Sequence, residues 1–311
     1  MDSILNQTYK NIEVIVVNDG SSDSTGSIID DYSRKDDRVK PFHKENGGVS
    51  SARILGVNHA IGDYIGFVDG DDYVEPEMFE HLLNNALKYN ADISHCGYQM
   101  VFPNGRIDYY YNTGKVVKQD NITGLKDLIS GNFVEPGLWN KLYKKEIVEG
   151  FERSELWDSS IKINEDLLMN YILFKKSKKS IYEDKCIYHY ALRRNSASTS
   201  KKQLYHWNDP LKVIKSILND SESGSEIYSI SYERYLRALI NLVLQKEYKE
   251  ESKTAKDILK NEMRLGNIHK YCKSKKLLFM SLGVGWVEPI YRLIRRFYDS
   301  VTGISKKYDV S

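Results

Sequence analysis

Three carboxylates crowd one short turn of this sequence. Asp69, Asp71 and Asp72 lie within four consecutive residues, with Gly70 after the first, and they follow an apolar run. Like charges at this spacing repel one another, and a divalent cation would relieve the repulsion. Oxygen ligands favour Mg²⁺ or Mn²⁺. A calcium-binding EF-hand loop is excluded, because it would need glycine where Val74 stands. The alternative is a solvent-exposed turn that binds no ion, since Asp and Gly are common in turns.

A second acidic turn lies earlier in the chain. Asp19 follows the β-branched run 12–18 and is itself followed by Gly20 and Ser21. Taken alone, this turn reads as the N-terminal cap of a helix. The later turn, which begins at Asp69, also follows a predicted strand. Two acidic turns that each follow a strand indicate a ligand site more specifically than either turn does alone.

Alternating strands and helices must position these two turns. The pattern predicts strands at 12–18, 39–43 and 63–68, with helices at 24–34 and 49–60 between them. Such alternation is typical of an α/β fold with a parallel sheet and crossover helices. Ligands of these sheets bind beyond the carboxyl ends of the strands, where both acidic turns are expected.

The remainder of the chain changes character twice. Mixed strands and helices continue to about Arg194 and are expected to complete the sheet, and a Lys-, Glu- and Leu-rich helical region follows Ser196. The elements predicted in these regions are strands 92–100, 106–111 and 180–189 and helices 164–175, 228–245 and 255–263. We therefore predict a first domain over residues 1–198 and a helical C-terminal region over residues 199–311.

Composition narrows the class of protein. The 311 residues carry 45 Lys and Arg against 43 Asp and Glu, so charge alone does not predict nucleic-acid binding. Three unpaired cysteines fit a reducing compartment better than a disulfide framework. The longest apolar stretch, 277–287, is far shorter than the ~20 residues that span a bilayer. These features predict a cytoplasmic protein without a membrane-spanning helix.

Four segments together strongly resemble inverting family 2 glycosyltransferases of the GT-A fold. A dinucleotide-binding site lacks support, because neither acidic turn carries the G-x-G-x-x-G motif of such sites. The segments are the two acidic turns with NGGVSSAR (46–53) between them, WNKLY (139–143), NEDLL (164–168) and YHYALRRNS (188–196). The likeness covers residues 1–198 and implies a GT-A type, Rossmann-like, mostly parallel sheet with flanking helices.

This resemblance implies a role for each candidate residue. The nucleotide-sugar would contact Asp19, Ser21, Arg53, Asp69 and Gly70, with Asp19 on the uracil and Asp69 on the ribose side. The metal, Mn²⁺ or Mg²⁺, would be held by Asp71 and approached by His189. Trp139 and Glu165 would line the acceptor region, and Asp166 would be the catalytic base.

Structural alternatives exist for the later residues. Acidic residues such as Glu165 and Asp166 in a first helical turn also stabilise the helix dipole. A lone histidine such as His189 is often simply packed against its neighbours. Only their order after the two acidic turns favours the functional interpretation.

The resemblance implies transfer of a sugar from a UDP-sugar to a glycan or lipid-linked acceptor, with inversion, in surface polysaccharide synthesis. Two other functions stay open at this point. One is a non-catalytic remnant that binds nucleotide-sugar or glycan. The other is a sugar-phosphate nucleotidyltransferase, although no Gly-rich basic loop supports it.

Two departures from the family pattern stand out. The family begins with a strand that precedes the segment aligned with Met1, and this strand is expected to be missing from the chain. Ile54 also stands where the family usually has Asn. Both departures bear on whether the chain as written is active.

A basic amphipathic helix is predicted over residues 290–301. Its apolar positions fall on one face, and Arg292, Arg295 and Arg296 fall on the other. Such a helix can lie on an anionic membrane surface, which predicts a peripheral membrane contact. Packing against the helical region is the alternative.

Overall fold

The computed structural model describes residues 1–193 and 202–283. Nine strands form within these ranges. They are β1 (Val14–Asp19), β2 (Val39–Lys44), β3 (Tyr64–Gly66), β4 (Tyr73–Val74), β5 (Ile93–Val101), β6 (Ile107–Tyr109), β7 (Val116–Asp120), β8 (Lys141–Lys144) and β9 (Lys179–Ala191).

The helices fall into two groups along the chain. The first group, between and around the strands, is α1 (Asp2–Leu5), α2 (Thr25–Lys35), α3 (Val49–His59), α4 (Met78–Tyr89), α5 (Asn121–Ser130), α6 (Lys145–Val148) and α7 (Glu165–Lys176). The second group is α8 (Tyr205–Asp220), α9 (Glu226–Val243), α10 (Lys249–Arg264) and α11 (Asn267–Tyr271).

The strands form two sheets. In the first, β1 and β2 run parallel, joined through α2. The second has the order β3-β8-β5-β9-β4, with β6 added to β5 and β7 added to β9. Its long central pair, β5 and β9, is parallel, and the register shifts on either side of Gly97. A Cβ at Gly97 would lie 3.0 Å from Cys186 Sγ and 3.2 Å from Asp184 Oδ1, so glycine suits this close approach of the two strands.

Strand β5 and helix α7 form the core of this part of the molecule. Eight consecutive residues of β5 are buried, which requires cover on both faces of the sheet. Helix α7 is likewise buried from Leu167 to Phe174, around its whole circumference. A helix buried on every side is held in place by its surroundings, so the residues at its start are fixed as well.

The predicted α/β class, with helices flanking a sheet and a helical C-terminal region, is confirmed. Strand directions differ from the expected mostly parallel sheet. Among the described strands, β1–β2 and β5–β9 are parallel and the other five pairs are antiparallel. Hydrophobic periodicity identifies a strand but carries no information on which neighbour it pairs with, so the directions had to come from the structure.

Two compact units are present. One contains residues 1–160 and 165–191, and the other contains residues 161–164 and the described residues from Leu192 onward. The second unit is helical and is packed around buried residues of α8 and α9 such as Ile217, Leu236 and Leu239. The boundary predicted after residue 198 and the amphipathic segment 290–301 both lie outside the described residues. Over residues 1–193 and 202–283, no helix combines the length and apolar character needed to cross a membrane.

Candidate active site

The turn after β1 is tied to the start of α3 by the carboxylate of Asp19. Its Oδ1 accepts hydrogen bonds from Lys44 Nζ at 2.6 Å and from the Gly47 amide at 2.9 Å. Its Oδ2 accepts from the Gly48 amide at 2.8 Å. Burial raises the pKa of Asp19, but these three donors together lower it below the ordinary value. Asp19 is therefore ionised and holds the loop that leads into α3.

The backbone of this turn has little freedom. Gly20 has φ +75°, and a Cβ there would lie 2.7 Å from the Asn46 backbone nitrogen. The Ser21 amide donates to Asn18 Oδ1 at 3.0 Å, which closes the turn, and the Ser21 side chain is exposed. The predicted nucleotide residues Asp19 and Ser21 thus lie at the carboxyl end of β1, as expected for a ligand site in such a sheet.

The second acidic turn is held from behind by β9. Asp72 accepts hydrogen bonds from the Tyr188 hydroxyl at 2.6 Å and from the Ala191 amide at 2.8 Å. The Tyr188 hydroxyl also accepts from the Asp69 amide at 3.3 Å. A Cβ at Gly70 would meet no heavy atom within 4 Å, so space is open beside the turn. Asp72 was not assigned a role from the sequence, and the structure makes it the anchor of the turn.

Burial changes the protonation of this turn. Burial raises the pKa of Asp72 to about 7, although the hydrogen bonds from Tyr188 and Ala191 lower it. Burial also raises the pKa of Asp69. The positive charge of Arg53 opposes this rise, and the negative charge of Asp71 adds to it. A cation bound here would favour the ionised forms.

Oxygen donors suited to a divalent ion are present at this turn. Mg²⁺ and related ions commonly take one or two protein carboxylates and complete their shell with water and substrate phosphates. Asp71 and its neighbour Asp69 fit that donor set. Within the part of the chain that the structure describes, no three His, Cys, Asp or Glu side chains group as a metal cluster. Water and substrate phosphates would complete the shell of an ion held by these carboxylates.

Arg53 joins the second acidic turn to the start of α7. Its Nη1 donates to Glu165 Oε1 at 2.9 Å, and its Nη2 lies 3.6 Å from Asp69 Oδ1. Burial lowers the pKa of Arg53, but Asp69, Glu165 and Asp166 together raise it, so the guanidinium is charged. The buried Arg53 guanidinium thus interacts with carboxylates from two distant parts of the sequence.

The carboxyl groups of Glu165 and Asp166 are both hard to ionise. Burial is the main cause of the raised pKa in each, and Arg53 opposes it in both. Asp166 Oδ1 accepts from the Leu167 amide at 2.7 Å. A carboxylate with a raised pKa is a stronger proton acceptor, which is what a general base requires.

Trp139 packs against the second acidic turn through Tyr188. The two rings stack at 4.4 Å, and Trp139 also stacks on Tyr190 at 5.8 Å. The loop around Trp139 is shaped by Lys141, whose Nζ donates to the carbonyl oxygens of Glu135 and Gly137 at 2.6 Å each. Sequence reasoning gave Lys141 no role.

Lys141 is fully buried, which is rare for lysine. A third hydrogen bond, to Asn140 Oδ1 at 2.7 Å, uses its last proton. Burial lowers the pKa of Lys141 to about 8, against the attraction of Glu135 and Asp166. The signal in the sequence was a lysine inside the apolar strand segment Trp139–Tyr143, flanked by residues that strand periodicity would bury.

His189 contacts two residues that follow the second acidic turn. Its Nε2 is 2.7 Å from Glu75 Oε1, and its ring stacks on Tyr73 at 4.2 Å. Gln99 also hydrogen-bonds the ring. The structure thus brings His189 to Glu75, while Asp69 and Arg53 group with Glu165 and Asp166. Its predicted role at the metal stays a prediction.

The part of the chain that contains most of these residues matches a known protein family. The sequence model described as "Glycosyl transferase family 2" matches residues 1–149. Over these residues the chain is similar to glycosyl transferase family 2. The matched region includes both acidic turns, Arg53 and Trp139. The α7 residues Glu165 and Asp166 lie beyond it.

Two relatives and one solved structure are similar over more of the chain. Glycosyltransferase GlyA of Streptococcus pneumoniae is 35% identical over 205 residues, which are 64% of this chain and 29% of that protein. The uncharacterized glycosyltransferase EpsJ of Bacillus subtilis is 37% identical over 200 residues, 63% of this chain and 57% of that protein. The alignments thus span well under two thirds of these relatives.

A structure of S. aureus TarS 1–349 in complex with UDP-GlcNAc superposes with a TM-score of 0.70 at 19% identity. The superposition covers 96% of this chain and 86% of that one. At this identity the likeness establishes the fold. It agrees with the GT-A fold expected for the chain.

Proposed function

We propose that this protein transfers a sugar from a UDP-sugar to a glycan or lipid-linked acceptor, with inversion at the anomeric carbon. The observation that carries the proposal is the ion-paired position of Arg53 between Asp69 and Glu165. Through it, the turn expected to bind the donor meets the helix that begins with the expected base, Asp166. Donor and acceptor chemistry would then share one site.

Asp166 would accept the proton of the acceptor hydroxyl as that oxygen attacks the anomeric carbon. The bond from the anomeric carbon to the diphosphate oxygen breaks, and UDP leaves from the opposite face of the sugar. Configuration is inverted because entry and departure are on opposite faces. Arg53 keeps a positive charge beside Asp166, which favours the ionised base over the proton-bound form.

Asp71, with Asp69 beside it, would hold Mn²⁺ or Mg²⁺, which when bound neutralises charge on the diphosphate as a Lewis acid. Asp19 and Ser21 would contact the nucleoside at the end of β1. Trp139 would face the acceptor, with its orientation set by the stack on Tyr188. UDP is the proposed nucleotide because the similar TarS structure is a complex with UDP-GlcNAc. A role in surface polysaccharide synthesis, at the cytoplasmic face of a membrane, is part of the proposal.

A non-catalytic nucleotide-sugar binder is the second candidate. It is favoured by the state of Asp19, whose two oxygens already accept from Lys44, Gly47 and Gly48. An incoming uracil would have to replace or share these donors. A protein that binds UDP but does not turn over a UDP-sugar would match this candidate.

Isothermal titration of UDP, with and without Mn²⁺, tests the site. We expect binding that needs both the metal and Asp71, so that Asp71→Ala abolishes it. Asp37→Ala, at an exposed aspartate in the first unit, is the matched control and should bind as the wild type does. UDP binding that ignores Mn²⁺ and Asp71 would contradict the proposed site.

Turnover separates the two candidates. UDP release from a panel of UDP-sugars should be metal-dependent in the wild type and about 100-fold slower or more in Asp166→Asn, since general-base contributions are of this size. Asp166→Asn should still bind UDP. Metal-dependent UDP binding without release of UDP from any donor would favour the non-catalytic binder instead.

A further inference from the structure

A continuous series of aromatic rings runs from the candidate site to the protein surface. Each ring lies 4.4 to 5.0 Å from the next, measured between ring centroids. The order is Tyr188, Trp139, Tyr98, Tyr110 and Tyr111. We call these five residues the aromatic series. The first three are buried, and the last is exposed.

The inner end of the aromatic series is part of the candidate site. The Tyr188 hydroxyl donates to Asp72 and accepts from the Asp69 amide. Trp139, the next ring, is 8% exposed and was assigned to the acceptor region from the sequence. The aromatic series therefore joins the candidate site to the surface at Tyr111 through packed contacts.

At the outer end, Tyr111 and Lys115 both lie against the Phe133 ring. Tyr111 is 54% exposed and lies 5.9 Å from Phe133, measured between ring centroids. The Lys115 ammonium lies 4.8 Å above the Phe133 ring. An exposed ring and an exposed ammonium group therefore lie around the same phenyl ring.

The backbone that carries this end is strained. Tyr111 and Asn112 have φ of 72° and 68°, and Phe133 has φ of 56°. Tyr and Phe rarely adopt these values, and such a conformation persists only where the surroundings impose it. Glycine would adopt it without strain, so the two aromatic side chains are not explained by the turn alone.

The surroundings do impose this conformation. Asp184 accepts hydrogen bonds from the amides of Asn112 at 3.1 Å and Thr113 at 2.6 Å. Asn112 Oδ1 accepts from the Cys186 amide at 3.2 Å, and the Tyr110 hydroxyl donates to the Gly131 carbonyl at 3.0 Å. The Tyr111 ring is thus held out from the surface by a preorganised loop.

We propose that Tyr111 and Lys115 form an outer subsite that binds a pyranose ring of the acceptor glycan, several sugars away from the transfer point. A pyranose has an apolar C–H face, which packs on the electron-rich face of an aromatic ring. Its rim carries hydroxyl acceptors, which an ammonium group can meet. The inference rests on the proposed function for the identity of the glycan as acceptor, and it specifies that the acceptor is an oligosaccharide rather than a single sugar.

Binding to a glycan array tests the subsite. The array would carry bacterial polysaccharide fragments and synthetic oligosaccharides of two to six sugars. Tyr111→Gly removes the ring and suits the positive φ, while Tyr111→Phe keeps the ring. Tyr109→Ala is the matched control, because Tyr109 is equally exposed at 54% and lies in β6, outside the aromatic series.

We expect wild type, Tyr111→Phe and Tyr109→Ala to bind the longer oligosaccharides alike. Tyr111→Gly should bind them about tenfold more weakly, the size of one lost aromatic contact. Thermal unfolding of each variant would show that all are folded. Equal binding by wild type and Tyr111→Gly would overturn the inference. So would equal loss in Tyr111→Gly and Tyr109→Ala, or no binding of any oligosaccharide by the wild type.

UDP titration on the same preparations separates this inference from the proposed function. If UDP binding keeps its dependence on Mn²⁺ and Asp71 while Tyr111→Gly has no effect on glycan binding, only the outer subsite is wrong. If UDP binding fails in the wild type, the proposed function fails, whatever the array shows.

Discussion

Arg53 is the residue on which the candidate site depends most. Its guanidinium is mostly buried, and it meets Glu165 from α7 and Asp69 from the turn after β3. A buried arginine must have its charge balanced, and here carboxylates that repel one another supply the balance. The protonation of Asp166 is therefore set partly by a residue more than a hundred positions away.

Removing the charge of Arg53 should shift the pH dependence of turnover. Arg53 lowers the pKa of Asp166, so Arg53→Met should raise it further. The base acts only when ionised, so the acidic limb of the pH–rate profile for UDP release should move to higher pH. At neutral pH the rate should fall about 10- to 100-fold.

Arg53→Lys keeps a charge and should move the acidic limb less than Arg53→Met does. Arg106→Met removes an exposed arginine that pairs with Asp108 and should leave the profile unchanged. A rate loss in Arg53→Met with an unmoved acidic limb would mean that Arg53 acts on folding or on substrate binding and not on the base.

At the scale of elements, the turn after β1 and the loop before α3 are built as one piece. The Asp19 carboxylate accepts hydrogen bonds from two backbone amides of that loop, and Gly20 approaches Asn46 closely. The loop then leads into α3, which carries Arg53. Any change in this turn should therefore alter the nucleotide end of the site and the position of Arg53 together.

Gly20→Ala should destabilise this piece more than a positive φ alone would. The new Cβ would lie 2.7 Å from the Asn46 nitrogen, which is backbone and cannot move aside cheaply. Gly105→Ala is the matched control, since Gly105 has φ +83° with open space around it. We expect Gly105→Ala to cost about 1 kcal/mol in the free energy of unfolding, and Gly20→Ala to cost roughly 1 to 3 kcal/mol more.

Urea unfolding would measure both costs, and UDP titration would show whether Gly20→Ala also weakens nucleotide binding. Equal costs for the two substitutions would show that the approach of Gly20 to Asn46 is not a real constraint.

The elements themselves were largely predictable from the sequence, and their partners were not. The β-branched run before Asp19 and the apolar run before Asp69 predict β1 and β3, because buried strands need such residues. The parallel pairing of β5 with β9 joins residues that are far apart in the chain, and no local pattern encodes it. The same holds for Arg53 and Glu165, whose pairing depends on how α3 and α7 pack. Lys141 was missed because a buried lysine violates the usual burial rule and is explained only by three acceptors that the fold brings together.

At the scale of the whole molecule, the first unit contains two opposing sets of carboxyl groups. One set has a lowered pKa, because hydrogen bonds and ion pairs together outweigh burial. Its members include Asp19, Asp92 and Asp184. The other set has a raised pKa, mainly because of burial, and comprises Asp69, Asp72, Asp127, Glu165 and Asp166. All but Asp127 of the second set belong to the candidate site.

These two sets act on stability in opposite directions. A carboxyl with a lowered pKa in the fold contributes stability above its unfolded pKa, and this is lost as the pH falls. A carboxyl with a raised pKa binds protons more tightly in the fold than in the unfolded chain. These carboxyls therefore lower the free energy of unfolding as the pH rises from about 4, the ordinary value for a carboxyl, to about 7, the pKa of Asp72. The buried His95, whose pKa is lowered to about 3 by burial, acts in the opposite direction up to about pH 6.5, the ordinary value for histidine.

The effect of Asp72 on stability should therefore appear as a difference between two forms of the protein without bound ligand. The midpoint of thermal unfolding of Asp72→Asn, relative to that of the wild type, should rise between pH 5 and pH 8. The reason is that the substitution removes the carboxyl whose pKa is raised to about 7 while keeping an acceptor for the Ala191 amide. Scanning calorimetry in a chelator would measure both midpoints across this range. UDP with Mn²⁺ should raise the wild-type midpoint more at pH 8 than at pH 5, since a cation favours ionised carboxylates. A difference between the two proteins that stays constant from pH 5 to pH 8 in the chelator would contradict this account, and it would mean that the acidic turns are more hydrated than their burial implies.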